Sequence, residues 1–501
     1  CAFGRDALNE NQTAGNNSAF GHQALKSNTT GAQCVAIGST ALQSNTTGGN
    51  NLAVGYASLR TVTVGYNNIG IGTDSMQNLT TGFSNTAVGL GSMQDSTTAN
   101  KNAAFGQYAL HATTTAAKNT GIGYYAAAEV TDGEQNVALG SEALRQKTSA
   151  SNNTALGFQA IYSAGTGHSN TAVGSKALAA VSSGNYNTAV GRDALQVNTT
   201  GASNTAVGED CLDANTTGSL NVAVGQSALG MNTTASNNVA VGGYALDANT
   251  IGHSNVAVGK DALGSNTEGT QSVAVGKEAL EQQTTGGGNT AVGFKAMEGT
   301  TTGYFSVGIG QYAGDNMTTG HSNVYVGDNA GNTHATGYGC TVVGRASNTS
   351  TTSVNLETVL GHSLAGKGQQ TCFLGGNTGA YNEANESHFD TTSDRRIKKN
   401  IANYDKGLDI INKLQVRNFE YKTEDEIITD NPELKDVVKS AVVNKTGTQT
   451  GLIAQEAEAV LASTVLTNST GIKSLHTDDI FWHMLNAIKE LSAKVTALEA
   501  A

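Results

Sequence analysis

Residues able to do chemistry are sparse in this chain, and most of their patterns exclude a site. The five cysteines, Cys1, Cys34, Cys211, Cys340 and Cys372, are odd in number and widely spaced, with no Cys-x-x-Cys pair. That spacing excludes a disulfide scaffold and a zinc module. Acidic residues before position 392 are scattered, whereas a glycosidase needs two facing carboxylates. The Gly-Gly-x-Gly-x-Asp nonapeptide of calcium-binding rolls is absent. Nothing calls for a cofactor or a metal. The densest group of reactive types is Ser393-Asp394-Arg395-Arg396-Ile397-Lys398-Lys399-Asn400-Ile401. A Ser hydroxyl is a weak nucleophile that needs a base. A Lys amine serves as one when burial and neighbouring cations lower its pKa. A spacing of five does not establish contact, and taken alone the stretch also reads as a solvated basic run after a linker.

The elements around that group fall into two compositional zones. Residues 1–392 hold 58 of the 62 Gly and 38 charged residues; residues 393–501 hold 4 Gly, Pro432, Trp482 and 30 charged residues. Charge density thus roughly triples near 392, which marks a domain boundary. The net charge of −12 argues against nucleic acid or an anionic membrane as a partner. No apolar run reaches the ~20 residues of a membrane helix, so no membrane insertion is expected. The chain begins at Cys1 in the middle of a repeat unit, without Met or signal peptide. We therefore expect upstream sequence that carries attachment to a virion or cell.

Residues 1–365 repeat with a period of 17. Starting from Gly4, every seventeenth residue is Gly, through Gly191 to Gly361: 22 glycines without insertion or deletion. The unit reads Asn-(Thr/Val)-Ala-Val-Gly-x-x-Ala-Leu-x-x-Asn-Thr-Thr-Gly-x-x. Seventeen residues are too few for a helix pair. Asn-Thr-Ala-Val-Gly reads as a short strand between turn formers. The expected fold class is therefore mainly β, a β-solenoid of 17-residue coils forming the shaft of a trimer, with residues 366–392 as cap and linker before a small α+β domain that ends in a coiled-coil helix. At ~4.8 Å per coil the shaft is about 105 Å long, if each chain closes its own coils rather than sharing a helix with two others. Pro is absent from it, as a ladder that needs every backbone donor requires.

Within the unit, the second and fourth strand residues (Thr/Val and Val) point one way and Asn and Ala the other, with no charge on either face. A coil buries only its inner face, so the other is expected to meet another chain. The Asn row reads as a turn ladder bonding the backbone. Cys34 and Cys340 in that row, and Cys211 in the Ala row, read as small buried fillers. The Thr-Thr row reads as a solvated turn, with ice binding as the alternative. The two places after each Gly vary, as at Tyr56, Tyr124-Tyr125 and Arg192-Asp193, and are expected to face solvent. The repeat resembles the heads of trimeric autotransporter adhesins, whose unit is shorter.

Three blocks follow in order: the Ser393 run, Thr450-Gly451-Leu452-Ile453-Ala454-Gln455-Glu456-Ala457-Glu458, and Ala487-Ile488-Lys489-Glu490-Leu491. Residues 393–501 thereby resemble the intramolecular chaperone domain of phage tail fibres and tailspikes of the endosialidase type. The resemblance implies that this domain trimerises, templates the β-rich part and cuts itself free at the Ser393-Asp394 junction, with Ser393 and Lys398 as a catalytic dyad. It thus implies a serine peptidase acting only on itself. Attack by Ser393 on the preceding carbonyl would instead split Thr392–Ser393. Met484, Ile488, Leu491, Val495 and Leu498 are spaced 4, 3, 4, 3, an a/d seam suited to a trimer clamp. The resulting expectation is a homotrimeric viral fibre, bound to a virion tail through upstream sequence and contacting a host cell-surface glycan or protein. The alternatives are a bacterial surface adhesin, an ice-binding rod and a depolymerase with its catalytic part upstream.

Overall fold

The computed structural model describes residues 1–500 except 147, 164, 376–379, 384–394, 396–397, 433–446 and 468–472. They form two compact units, Cys1–Thr391 and Thr392–Ala501.

The first unit is a β-solenoid in which each chain closes its own coils. It starts with β1 (Ala2–Phe3) and continues through three-residue strands from β2 (Ser18–Phe20) to β22 (Thr358–Leu360). Each strand pairs in parallel with the residue 17 positions on, as Thr188↔Thr205, Ala189↔Ala206 and Val190↔Val207. The grid Gly is obligatory. Gly191 has φ +141°, and a Cβ there would overlap the Gly208 carbonyl of the next coil. Leu195 also lies in the left-handed region, at φ 54°, which costs a branched residue about 1–2 kcal/mol. Its side chain is fully buried, worth about 1.5–3 kcal/mol, so burial holds the turn.

Asn forms two internal ladders. Asn187 accepts from the Asn204 backbone N–H at 3.0 Å and donates to the Gly201 carbonyl at 2.9 Å. Asn215 donates to Asn198 Oδ1 at 2.8 Å and to the Gly218 carbonyl at 3.1 Å. The first Thr of each pair donates its hydroxyl to the next coil's carbonyl, as Thr199 to Thr216 at 3.0 Å. That row therefore closes turns, leaving only the second Thr in solvent. Cys34, Cys211 and Cys340 are fully buried, and burial pushes the Cys211 and Cys340 thiols up to about 11.

The sheet's outer face carries the two unpaired columns. One runs from Ser18 to Thr358. The other runs from Phe20 to Leu360, with Phe20 41%, Phe105 42% and Val207 37% exposed. Neither column contains a charged residue. The shaft also extends past the last grid Gly. Strand β23 (Thr371–Leu374) pairs in parallel with β22 at an offset of 14, Leu360 facing Leu374. Gly375 fits where position 378 would continue the grid. Strand β24 (Ala380–Glu383) then pairs antiparallel with β23, which ends the parallel stack.

Near this end the ladder columns hold larger groups. Tyr325, fully buried, donates its hydroxyl to His334 Nδ1 at 2.6 Å, and His334 Nε2 donates to the Val354 carbonyl at 2.9 Å. Both ring nitrogens of a neutral imidazole are thus used. Burial holds His334 below the usual histidine range, against the opposing influence of Val354 and Glu357. The unfolded chain takes up a proton near pH 6.5 that the folded coil refuses. The contribution is full above that pH and is lost as pH falls through it. Proteolysis within 324–374 is therefore expected to accelerate between pH 7.5 and 5.5. In His334→Gln, the residue this column carries at Gln283, the acceleration should disappear; an unchanged profile would assign it elsewhere.

Candidate functional site

In the second unit, Val416–Phe419 pairs antiparallel with Gln449–Leu452. The helix Ala454–Val460 follows the latter strand. Arg417 donates twice to Glu456, at 3.0 Å each, tying that helix to the opposite strand. The helix Glu424–Asp430 begins with a capping box between Thr423 and Glu426. The unit ends in the helix Asp478–Glu499. Among the described residues no helix is long and apolar enough to cross a membrane.

The terminal helix works through two faces. One grips the strap 404–408. His483, almost fully buried, accepts from the Tyr404 hydroxyl at 2.7 Å and donates from Nδ1 to the Lys406 carbonyl at 3.0 Å. Asn486 donates to the Tyr404 carbonyl at 2.6 Å, and Glu490 accepts from the Leu408 N–H at 3.1 Å. Gly407 has no room for a side chain, because a Cβ would lie 2.5 Å from the Ala487 nitrogen. These residues sit at i, i+3 and i+7, one stripe of the helix.

The other face is apolar and open. Met484, Ile488, Leu491, Val495 and Leu498 are 48%, 63%, 52%, 46% and 78% exposed. Phe481, three residues earlier and 58% exposed, extends the same row. Leu408 and Ile411 line an apolar recess beside Met484, Ile488 and Leu491. A second recess is lined by Ile411, Leu414, Val416, Leu452, Ile480 and Met484. Sequence spacing misses Phe481, although its offset from Met484 continues the 3, 4 alternation.

Ser393 and Asp394 lie outside the described residues, as does Arg396. Lys398 is exposed, and its backbone N–H donates to the Arg395 carbonyl at 3.3 Å. Among the described residues, Glu278, Glu281 and Glu298 of the shaft come close enough together to share a cation. Lys295 bridges Glu278 and Glu298 at 3.0 Å each, so these carboxylates already hold a cation. Of the two places after the grid Gly, the first reaches solvent, with Tyr56 and Tyr124 about half exposed, whereas the second turns inward, Ala57 being fully buried and Tyr125 and Asp193 only partly exposed. Tyr125 packs edge-on against Tyr124 at 4.5 Å and under the Arg145 guanidinium at 4.6 Å.

A long solenoid of 17-residue coils followed by a small α/β unit ending in a helix fits a fibre that carries an endosialidase-type chaperone. Residues 393–466 match the family model described as the chaperone of endosialidase. The helix Asp478–Glu499 lies beyond the matched residues. No curated protein and no solved structure matches the chain.

Proposed function

We propose that the chain is a homotrimeric viral fibre, borne on a virion tail and contacting a host surface. In this reading residues 393–501 nucleate the trimer and then cut themselves from the shaft. The observation that carries the reading is the open seam on the terminal helix, in a unit that matches the endosialidase chaperone over 393–466. Its side chains, with the two apolar recesses beside them, suit a coiled-coil clamp between copies. The shaft offers a second contact. Two charge-free columns about 7 Å apart over about 105 Å, one rich in Thr and the other in Val, Ile, Leu and Phe, make an uncharged strip on the order of 700 Å².

Assembly gives the processing step its trigger. Lys398 is exposed in the single chain. Covering by neighbouring copies, among Arg395, Arg396 and Lys399, would lower its proton affinity. It would then take the Ser393 hydroxyl proton as the oxygen attacks a peptide carbonyl, pass that proton to the amine that leaves as the C–N bond breaks, and water would hydrolyse the resulting ester. Intact-mass spectrometry tests the step. Wild type should yield residues 393–501, or 394–501 if the cut follows Ser393, so the mass also locates the bond. Ser393→Ala should remain one chain and still trimerise. A wild type that folds, trimerises and stays uncut would remove the peptidase role and leave the chaperone role.

A further inference from the structure

The shaft departs from its repeat most sharply at one turn. Gly286, Gly287 and Gly288 stand together there, and the next coil places Tyr304 and Phe305 beside Gly287 and Gly288. Phe305 leans back over Gly288, which has φ +68° and where a Cβ would fall inside the ring. Phe305 is nonetheless 65% exposed, far more than the column residues of the sheet. Tyr304 meets Phe305 at 5.3 Å with the rings at 86°. Behind Tyr304, His321 and Tyr338 stack in parallel, at 4.6 Å and 5.1 Å. The stack braces Tyr304 from one side only, because the preceding coil offers Gly287 in place of a ring. The outcome is a right-angled aromatic corner over a glycine floor. Tyr304 is 42% exposed, and the next coil carries the exposed Ser322, whose hydroxyl meets His321 Nδ1 at 3.3 Å.

We infer that this corner binds a neutral pyranose sugar. A pyranose has one face of C–H bonds and a rim of hydroxyls. The C–H face stacks on an aromatic ring while the rim reaches polar neighbours, a division that Tyr and Phe side by side accommodate. A second, perpendicular ring limits which edge of the sugar enters. The braced Tyr304 loses little freedom on binding, so little of the contact energy is spent on ordering it. An anionic sugar is disfavoured by the chain's net charge of −12. Three copies in one fibre would multiply a weak single contact through avidity. The inference deepens the host-contact reading above and rests on it for that last point alone.

Saturation-transfer NMR on the full chain tests it, with methyl β-D-glucopyranoside and methyl β-D-galactopyranoside as probes. Saturation should concentrate on H1, H3 and H5 of one face. It should fall about tenfold in Tyr304→Ser and in Phe305→Ser, and stay unchanged in Tyr124→Ser/Tyr125→Ser. Circular dichroism and protease resistance confirm that each variant keeps its rod. Absence of saturation with both sugars, or its persistence in both corner variants, overturns the assignment. Loss of the trimer in Phe305→Ser would assign the corner to contact between copies and overturn it equally. Stoichiometry and cleavage are read separately by mass, so a trimeric, processed chain that ignores both sugars fails this inference and not the fibre reading.

Discussion

Deleting residues 188–204 is expected to leave a folded rod one coil shorter, whereas deleting 188–195 is expected to disrupt it. The first cut removes one period, so Asn187 is followed by Thr205 and every later residue meets the same type of partner as before. The Asn ladder closes again, since Asn204 and Asn187 are equivalent rungs. The neighbours lose only the coil between them, because each coil touches only the next. The second cut leaves a nine-residue remnant, too short to close a coil, so the downstream coils, still in register with one another, meet the upstream coils out of column at that junction. Polar surface residues there face the Ala and Leu column, and the grid Gly, where a Cβ would overlap the next coil's carbonyl, loses its matching Gly. The broken coil forfeits about 1.5–3 kcal/mol for its Leu alone, and the junction exposes the core of both halves. Circular dichroism and protease resistance should separate the two deletions completely. Equal tolerance of both would contradict a solenoid of 17-residue coils.

The same tolerance creates a problem for assembly. A slip of 17 residues between copies restores nearly every contact, so the shaft specifies its own register weakly. Long-range β assembly is also slow and exposes edges that aggregate. In the proposed reading, a separate unit that fixes stoichiometry and starting point answers both difficulties, and cutting that unit away afterwards would make the assembled fibre hard to reverse, a kinetic stability.

The coil was legible in the sequence because coil closure admits no change of length. One misplaced residue would shift the Asn rungs, the buried Leu195 equivalents and the grid Gly together, so all three repeat without slippage. The alternation of Thr188 and Val190 against Asn187 and Ala189 likewise gave the two faces of the strand. The extra coil at Thr371–Leu374 was hidden because its turn is three residues shorter and Gly375 falls off the grid. The strap was hidden for another reason. Tyr404 and His483 are 79 residues apart, and no local pattern announces a contact of that separation. The aromatic corner left a trace in Gly286-Gly287-Gly288, but its meaning depends on which residues of the next coil lie alongside. The exposed apolar row from Met484 to Leu498 was legible because its 4, 3 spacing is local, and Phe481 precedes it on the same face. The Ser393 run was carried by resemblance; its geometry adds the exposure of Lys398 alone.

The second large effect concerns that seam, and it bears on the central claim that the C-terminal unit makes the fibre a trimer. Replacing Ile488 and Leu491 with Asp puts two carboxylates per chain into the clamp. Three copies would bring six together in an apolar setting, at a cost of several kcal/mol for each unpaired charge. The strap contacts of His483, Asn486 and Glu490 lie on the other face of the helix and should survive, so the unit itself should still fold. If assembly is what lowers the proton affinity of Lys398, the variant should also remain uncut. Native mass spectrometry of the refolded full chain reads stoichiometry and cleavage in one experiment. The account expects wild type as a trimer with 393–501 released, and Ile488→Asp/Leu491→Asp as an uncut chain that is monomeric or aggregated. A monomeric wild type, or a double variant that still forms the same cleaved trimer, would contradict it.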